Sequence, residues 1–165
     1  MEDVFKEALN LVEKNRPFVI ATVVGTKGST PQKPGAKLLV REDGSGVGTL
    51  GGGCVEGDIW YASQMLLKEG GDAKLTDYML NEEIAAREGL VCGGTMYFLI
   101  DPVFDPKSMA NLTTNIVGAY DGESSVGVAT LLKPALGKGA TGDKLLLSKD
   151  GSFSGSLGDE LRDNE

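Results

Sequence analysis

The sequence predicts an α/β fold: a mixed β-sheet with flanking helices, built around a helix–strand–strand–strand unit that occurs twice. Two observations lead to the class and a third to the duplication. Short apolar or β-branched runs alternate with segments of helical period. Asp-Gly turns join runs that can pair back on each other. Four short stretches of residues 21–51 return in the same order in residues 129–158.

Residues 3–15 read as a helix. Val4, Phe5, Ala8, Leu9 and Val12 share one face, Glu and Lys the other, and Pro17 lies beyond its end. Residues 18–24 form a β-branched run that reads as a buried strand. Residues 25–35, rich in Gly, Ser, Thr and Pro, read as a loop. A strand over 36–41, a turn over 42–46 and a strand over 47–50 make a hairpin. Gly51-Gly-Gly53 then leads into a helix over 54–68. A strand is expected over 73–78. A short helix over 81–88 opens on Asn81 and stops at Gly89. The strand over 95–100 is expected to close at Asp101-Pro102. A helix over 106–120 and strands over 126–133, 144–148 and 153–157 complete the chain.

Ala21-Thr-Val-Val24 is echoed 108 residues later by Ala129-Thr-Leu-Leu132. Three further echoes fall at an offset of 107: Lys37 to Val40 with Lys144 to Leu147, Asp43-Gly-Ser45 with Asp150-Gly-Ser152, and Gly48 to Gly51 with Gly155 to Gly158. Residues 1–160 are therefore expected to form a single domain. Its repeat units, about 3–53 and 106–160, flank a central α/β insert, and 161–165 form an acidic tail. The copies differ where chemistry is expected. The first carries Gly28-Ser-Thr-Pro31 and follows Gly51 with Gly52-Gly-Cys54. The second has residues 135–142 in the matching loop and follows Gly158 with Asp159-Glu160. The decoration, Glu56 included, is thus expected in one copy only.

A formal net charge of −8 disfavours a nucleic-acid partner. With no histidine, Ser-His-Asp and Cys-His mechanisms and the usual histidine metal sites are excluded. Two cysteines cannot make a four-cysteine metal site in one chain, so no permanent metal site is expected. No apolar run approaches the roughly 20 residues that span a bilayer, and Met1-Glu-Asp-Val-Phe-Lys6 lacks the order of a signal peptide. The expectation is a cytoplasmic location and no membrane partner. Lys27, Lys33, Lys37 and Arg41 fall in a stretch with no acid, a local basic spot suited to a small anion.

Three stretches carry candidate chemistry. Gly28-Ser29-Thr30 follows a strand and offers backbone and hydroxyl donors, with Lys37 nearby. Gly51-Gly52-Gly53 lets the backbone approach a ligand ahead of a helix N-terminus. Such a terminus also favours the thiolate of Cys54. Glu56 can cap that terminus or move a proton to or from the thiol. The third stretch, Cys92-Gly93-Gly94, sets the other cysteine beside paired glycines ahead of a strand. If the sheet brings these junctions to one edge, they form a glycine-walled, thiol-lined anion pocket. Cys54, Glu56 and Cys92 are the candidates for chemistry in it.

The ordered set Ala21 to Val24, Gly28 to Pro31, Pro34-Gly-Ala-Lys-Leu38, Gly48 to Glu56 and Val91-Cys-Gly-Gly94 resembles the XdhC/CoxI family of maturation factors for molybdenum hydroxylases such as xanthine dehydrogenase. The resemblance covers most of residues 1–102 and extends more weakly to about 160. It implies a cofactor chaperone that binds a molybdopterin-type molybdenum cofactor, assists its sulfuration and delivers it to an apo molybdenum hydroxylase. A cysteine desulfurase is the implied sulfur donor, Cys54 the residue that could contact molybdenum or carry sulfur as a persulfide. Two other readings stay open: a thiol-dependent sulfurtransferase using Cys54 with Cys92 as the second thiol, and a regulatory binder of another small phosphate-bearing ligand. A homodimer stays open too. Many longer family members carry a second, Rossmann-like domain.

Overall fold

The structure is a computed structural model that describes residues 1–80, 93–134, 138–158 and Asp163. The helix expected over 81–88 and Cys92 lie outside them. The α/β class, the flanking helices and the twice-used unit are all present. The strands divide between two sheets, and every described pairing is antiparallel.

Helix α1 (Glu2–Glu13) buries Val4, Ala8, Leu11 and Val12, and its first-turn acids Glu2 and Asp3 suit the positive end of the helix dipole. Strand β1 (Phe18–Lys27) pairs on one side with β2 (Lys37–Arg41), which continues into β3 (Gly46–Gly48) through the expected hairpin. After α2 (Gly53–Glu69) come β4 (Lys74–Met79) and β5 (Thr95–Val103), which complete a five-stranded sheet in the order β3-β2-β1-β5-β4. β1 runs past Val24 because β5 supports it as far as the Lys27–Thr95 pair, across a bulge between Val23 and Gly25. β5 does not close at Asp101-Pro102. Its pairing with β4 ends at Ile100, so Pro102 falls where β5 has β1 as its one neighbour, opposite Val19.

The period of two along β1 and β2 sorts their side chains between two layers. Val19, Ala21, Val23, Leu38 and Val40 pack with Val55, Ile59 and Leu66 of α2. Phe18, Ile20 and Leu39 pack on the opposite face with α1 and with Met109, Leu112 and Ile116. On the α2 side, the Trp60 indole N–H donates to Gly44 O at 3.0 Å. Its ring lies where a Cβ on Gly46 would sit 2.8 Å from it, so the hairpin needs a glycine there.

The second unit begins with a 3-10 turn (Pro106–Met109) and α3 (Ala110–Tyr120), which divide the segment expected as one helix. Pro106 fits the first turn, where its missing N–H costs nothing. Strands β6 (Val126–Thr130), β7 (Lys144–Ser148) and β8 (Phe153–Gly155) make a three-stranded sheet. Its registers repeat those of the first unit. Phe18 opposes Arg41 and Thr22 opposes Lys37, as Val126 opposes Ser148 and Thr130 opposes Lys144. Leu38 opposes Gly48, as Leu145 opposes Gly155. Both turns are locked alike. Asp43 Oδ1 accepts from Ser45 N at 2.9 Å and Oγ at 2.6 Å, and Asp150 Oδ1 accepts from Ser152 N at 2.9 Å and Oγ at 2.7 Å. The copies differ in cover. Val40 is wholly buried under α2, whereas its counterpart Leu147 is 43% exposed.

Candidate functional site

Two of the predicted stretches and the described part of the third meet at one end of the large sheet. Gly28, at φ 74°, places its Cα so that an added Cβ would lie 3.2 Å from Gly94 Cα. A Cβ on Gly94 would fall 2.7 Å from Lys27 O and closer still to Ser29 O. On the other side of the same loop, a Cβ on Gly51 would fall 2.8 Å from Pro31 Cβ. The loop around Ser29 and Thr30 is thus clasped between Gly94 and Gly51, and Thr30 Oγ1 stiffens it by donating to Gln32 O at 2.9 Å. These contacts admit no larger residue, which is why glycine stands at each.

Gly51, Gly52 and Gly53 have φ values of 111°, 75° and 67°, a run in the left-handed region that turns the chain from Leu50 into α2. Leu50 itself is fully buried and anchors the near end of that turn. Gly52 is the N-cap and has no side chain to cap the helix. Cys54 follows, exposed, in the first turn of α2. A Cβ on Gly52 or Gly93 would meet nothing within 4 Å, so bare backbone on both stretches faces open space. The Gly51 and Gly52 N–H groups turn to Glu56, but the start of α2 at Gly53 has no capping side chain, and helix-start N–H groups beside a thiol can receive an oxyanion or phosphate. The residues present therefore fit the anionic parts of a phosphate-bearing cofactor. Among the described residues no three His, Cys, Asp or Glu gather as a metal site.

Glu56 turns back to the loop. Its Oε2 accepts from Thr49 Oγ1 at 2.6 Å, Leu50 N at 2.7 Å and Gly52 N at 3.2 Å. Partial burial opposes its ionisation, but these bonds and one from Gly51 N outweigh burial and hold the carboxyl below its ordinary range. Glu56 was expected to lack a counterpart, and that expectation is overturned. Asp163, 107 residues on, accepts from Ser156 Oγ at 2.6 Å and Leu157 N at 2.7 Å. In both copies an acid five residues after Gly-x-Leu-Gly's last glycine ties down the turn. The signal was present in the sequence, but an acid in an acidic tail reads as solvated.

The Lys37 backbone lies beside the junction, its O accepting from Thr49 N at 3.0 Å, but its side chain turns to the other face. It alternates with Leu38, so it faces α1 while Leu38 packs under α2. Lys37 Nζ donates to Thr22 Oγ1 at 3.0 Å and lies 5.9 Å from the centroid of the Phe5 ring. Burial first, then the nearby Lys144 charge, lower its pKa to about 8, against a smaller opposing pull from Asp101. The basic spot read from residues 25–41 is accordingly dispersed: Arg41 is paired with Glu7 at 2.7 Å, and Lys27 and Lys33 are exposed.

By fold, the chain is similar to a solved structure. It superimposes on a crystal structure described as a xanthine dehydrogenase from Bacillus halodurans with a TM-score of 0.65 and 26% identity, over 90% of this chain and 44% of that one. By sequence the likeness is narrower: residues 11–79 match the model of the XdhC and CoxI family. Two further relatives match. One is the uncharacterized protein YqeB of Escherichia coli (strain K12), 41% identical over 98 residues, 59% of this chain and 18% of that protein. The other is a probable xanthine dehydrogenase subunit of Bacillus subtilis (strain 168), 34% identical over 83 residues, 50% of this chain and 24% of that protein. The match thus spans about a fifth to a quarter of these relatives' lengths. The family segment contains the Gly28 loop and the Gly51–Cys54 turn, and ends before Gly93.

Proposed function

We propose that this chain acts in the maturation of a molybdenum hydroxylase, by holding a molybdopterin-type cofactor at the glycine junction and passing it to the apo-enzyme. The observation that carries the reading is the convergence of Gly28–Thr30, Gly51–Gly53 and Gly93–Gly94 beside the exposed Cys54. The start of α2 at Gly53 and the open backbone at Gly93 hold the phosphate end, the Gly51 and Gly52 N–H groups being taken by Glu56, and the thiol of Cys54 faces the metal end, as a ligand or as a carrier of sulfur. Glu56 positions the turn that presents Cys54 and is not itself the proton carrier, because its carboxylate is engaged by Thr49, Leu50 and Gly52. The implied partner is an apo molybdenum hydroxylase in the cytoplasm, with a cysteine desulfurase supplying sulfur.

A sulfurtransferase reading has one observation in its favour, the exposure of Cys54 at a helix start. Binding of purified molybdopterin to the full chain and to Cys54→Ser separates the two. The chaperone reading expects both proteins to bind the pterin phosphate, and Gly52→Val to lose it at least tenfold. Binding that is unchanged in Gly52→Val refutes the junction as the site. A persulfide on Cys54 that turns over with a desulfurase, without any cofactor binding, establishes the sulfurtransferase instead.

A further inference from the structure

The duplication builds a second chamber that neither copy makes alone. A cavity of about 670 Å³ lies between β1 of the first unit and β6 of the second, walled by α1 and α3. Equivalent residues of the two copies line it as pairs: Ile20 with Val128, Thr22 with Thr130, and Lys37 with Lys144. Strand β5 adds Leu99 and Asp101.

The pairs have diverged in how their charges are met. Lys144 Nζ donates to the Asp101 carboxylate and to Gly142 O, the latter at 2.8 Å. Lys37 donates to a hydroxyl, Thr22 Oγ1, and no carboxylate among the described residues lies within ion-pair distance of it. Among the described residues, two ammonium groups and one carboxylate face the chamber, which leaves one positive charge unanswered by them. Lys37 is half-buried, and a half-buried cation without a counter-ion carries a desolvation cost that an apolar residue in its place would relieve. The rest of the lining is apolar, from Phe5, Leu112, Ile116 and Val126 among others. The volume lies in the range of small-molecule pockets, roughly 300–1,000 Å³.

We propose that this chamber is a binding site for a small organic acid, a single carboxylate on an apolar body, whose charge answers Lys37 while its body fills the space between the two units. It lies on the face of the sheet opposite α2, so it is separate from the glycine junction. Thr22 and Thr130 flank the position of the carboxylate, and Asp101, already engaged by Lys144, keeps the net charge of the chamber at one. That balance favours a monoanion over a phosphate dianion.

Octanoate is the probe, and 1-octanol, its neutral counterpart of equal chain length, is the control. Isothermal titration of the full chain is expected to show octanoate binding at least tenfold tighter than octanol. Lys37→Met is expected to weaken octanoate at least tenfold and leave octanol unchanged, with Lys37→Gln as a second variant. Cys54→Ser is expected to change neither. Octanoate affinity should also fall as pH rises from 7 to 9.5 in the wild type and hold steady in Lys37→Met. The other charged or titratable groups facing Lys37 are Lys144 of β7, Asp101 of β5 and the Tyr120 hydroxyl of α3; α1 offers the Phe5 ring. Equal affinity for octanoate and octanol, or for wild type and both Lys37 variants, overturns the proposal. So does the absence of octanoate binding at millimolar concentration.

Discussion

Replacing Lys37 with methionine should stabilise the protein at neutral pH and lose that advantage in base. The folded pKa is about 8 against an ordinary 10.5. At about 1.36 kcal/mol per pKa unit, keeping Lys37 charged in the folded state at pH 7 costs ~3 kcal/mol. The methionine also forfeits the hydrogen bond to Thr22, worth ~1 kcal/mol, so the net gain expected at pH 7 is about 2 kcal/mol. The folded pKa lies below the unfolded one, so the unfolded chain binds the extra proton between about pH 8 and 10.5 and wild-type stability rises with pH across that window. The gap between Lys37→Met and wild type should therefore be widest at pH 7, narrow through pH 8–10.5 and vanish or reverse above it. Urea unfolding at several pH values measures it, with the fluorescence of the sole tryptophan, Trp60, as the signal. A gap that stays constant from pH 7 to 10.5 refutes the reasoning, because it means that Lys37 is as well solvated in the folded chain as in the unfolded one.

Two other expectations concern the glycine junction. Glu56→Gln should destabilise the chain by ~2 kcal/mol at pH 7, since it weakens charge-assisted bonds from Thr49 and from the Leu50 and Gly52 N–H groups. The Glu56 carboxyl is held low in the folded state, so its contribution is full above its ordinary value and is lost as pH falls through the folded one. Thermal melts of both proteins should therefore converge in acid. Gly94→Ala should cost ~1–3 kcal/mol and push the Gly28 loop away from β5, because its Cβ meets the carbonyls of Lys27 and Ser29. A melt of Gly94→Ala that matches wild type would mean the clasp is loose.

What was legible in the sequence was what short-range chemistry decides. Asp43-Gly44-Ser45 and Asp150-Gly151-Ser152 form the same turn because the Asp side chain needs its own Ser two residues on and nothing else. The spacing of the echoes likewise foretold two registers, since a hairpin's pairing follows from its turn. The extent of β5 was not legible, because whether a strand survives Asp101-Pro102 depends on which neighbours flank it there. The side of the sheet that Lys37 takes was within reach: it precedes Leu38 and Val40 by odd steps, and a period of two sends it away from them. Its backbone runs beside Thr49, but its side chain takes the face toward α1. The role of Asp163 was missed for a different reason. A carboxylate that bonds to backbone N–H groups carries no hydropathy pattern. The chamber between the units was wholly out of reach, being a product of how two packed units meet.

The pairing of β1 with β5 also sets an order of events. The sheet of the second unit closes within residues 126–155, and its hairpins join neighbours in the chain. The β1–β5 ladder joins Lys27 to Thr95 and Phe18 to Val103, and so waits on a far longer closure. Gly28 meets Gly94 at the open end of that ladder. The glycine junction therefore waits on that ladder. During synthesis it cannot form until β5 has emerged from the ribosome, so a nascent chain carries Cys54 before the backbone around it is complete.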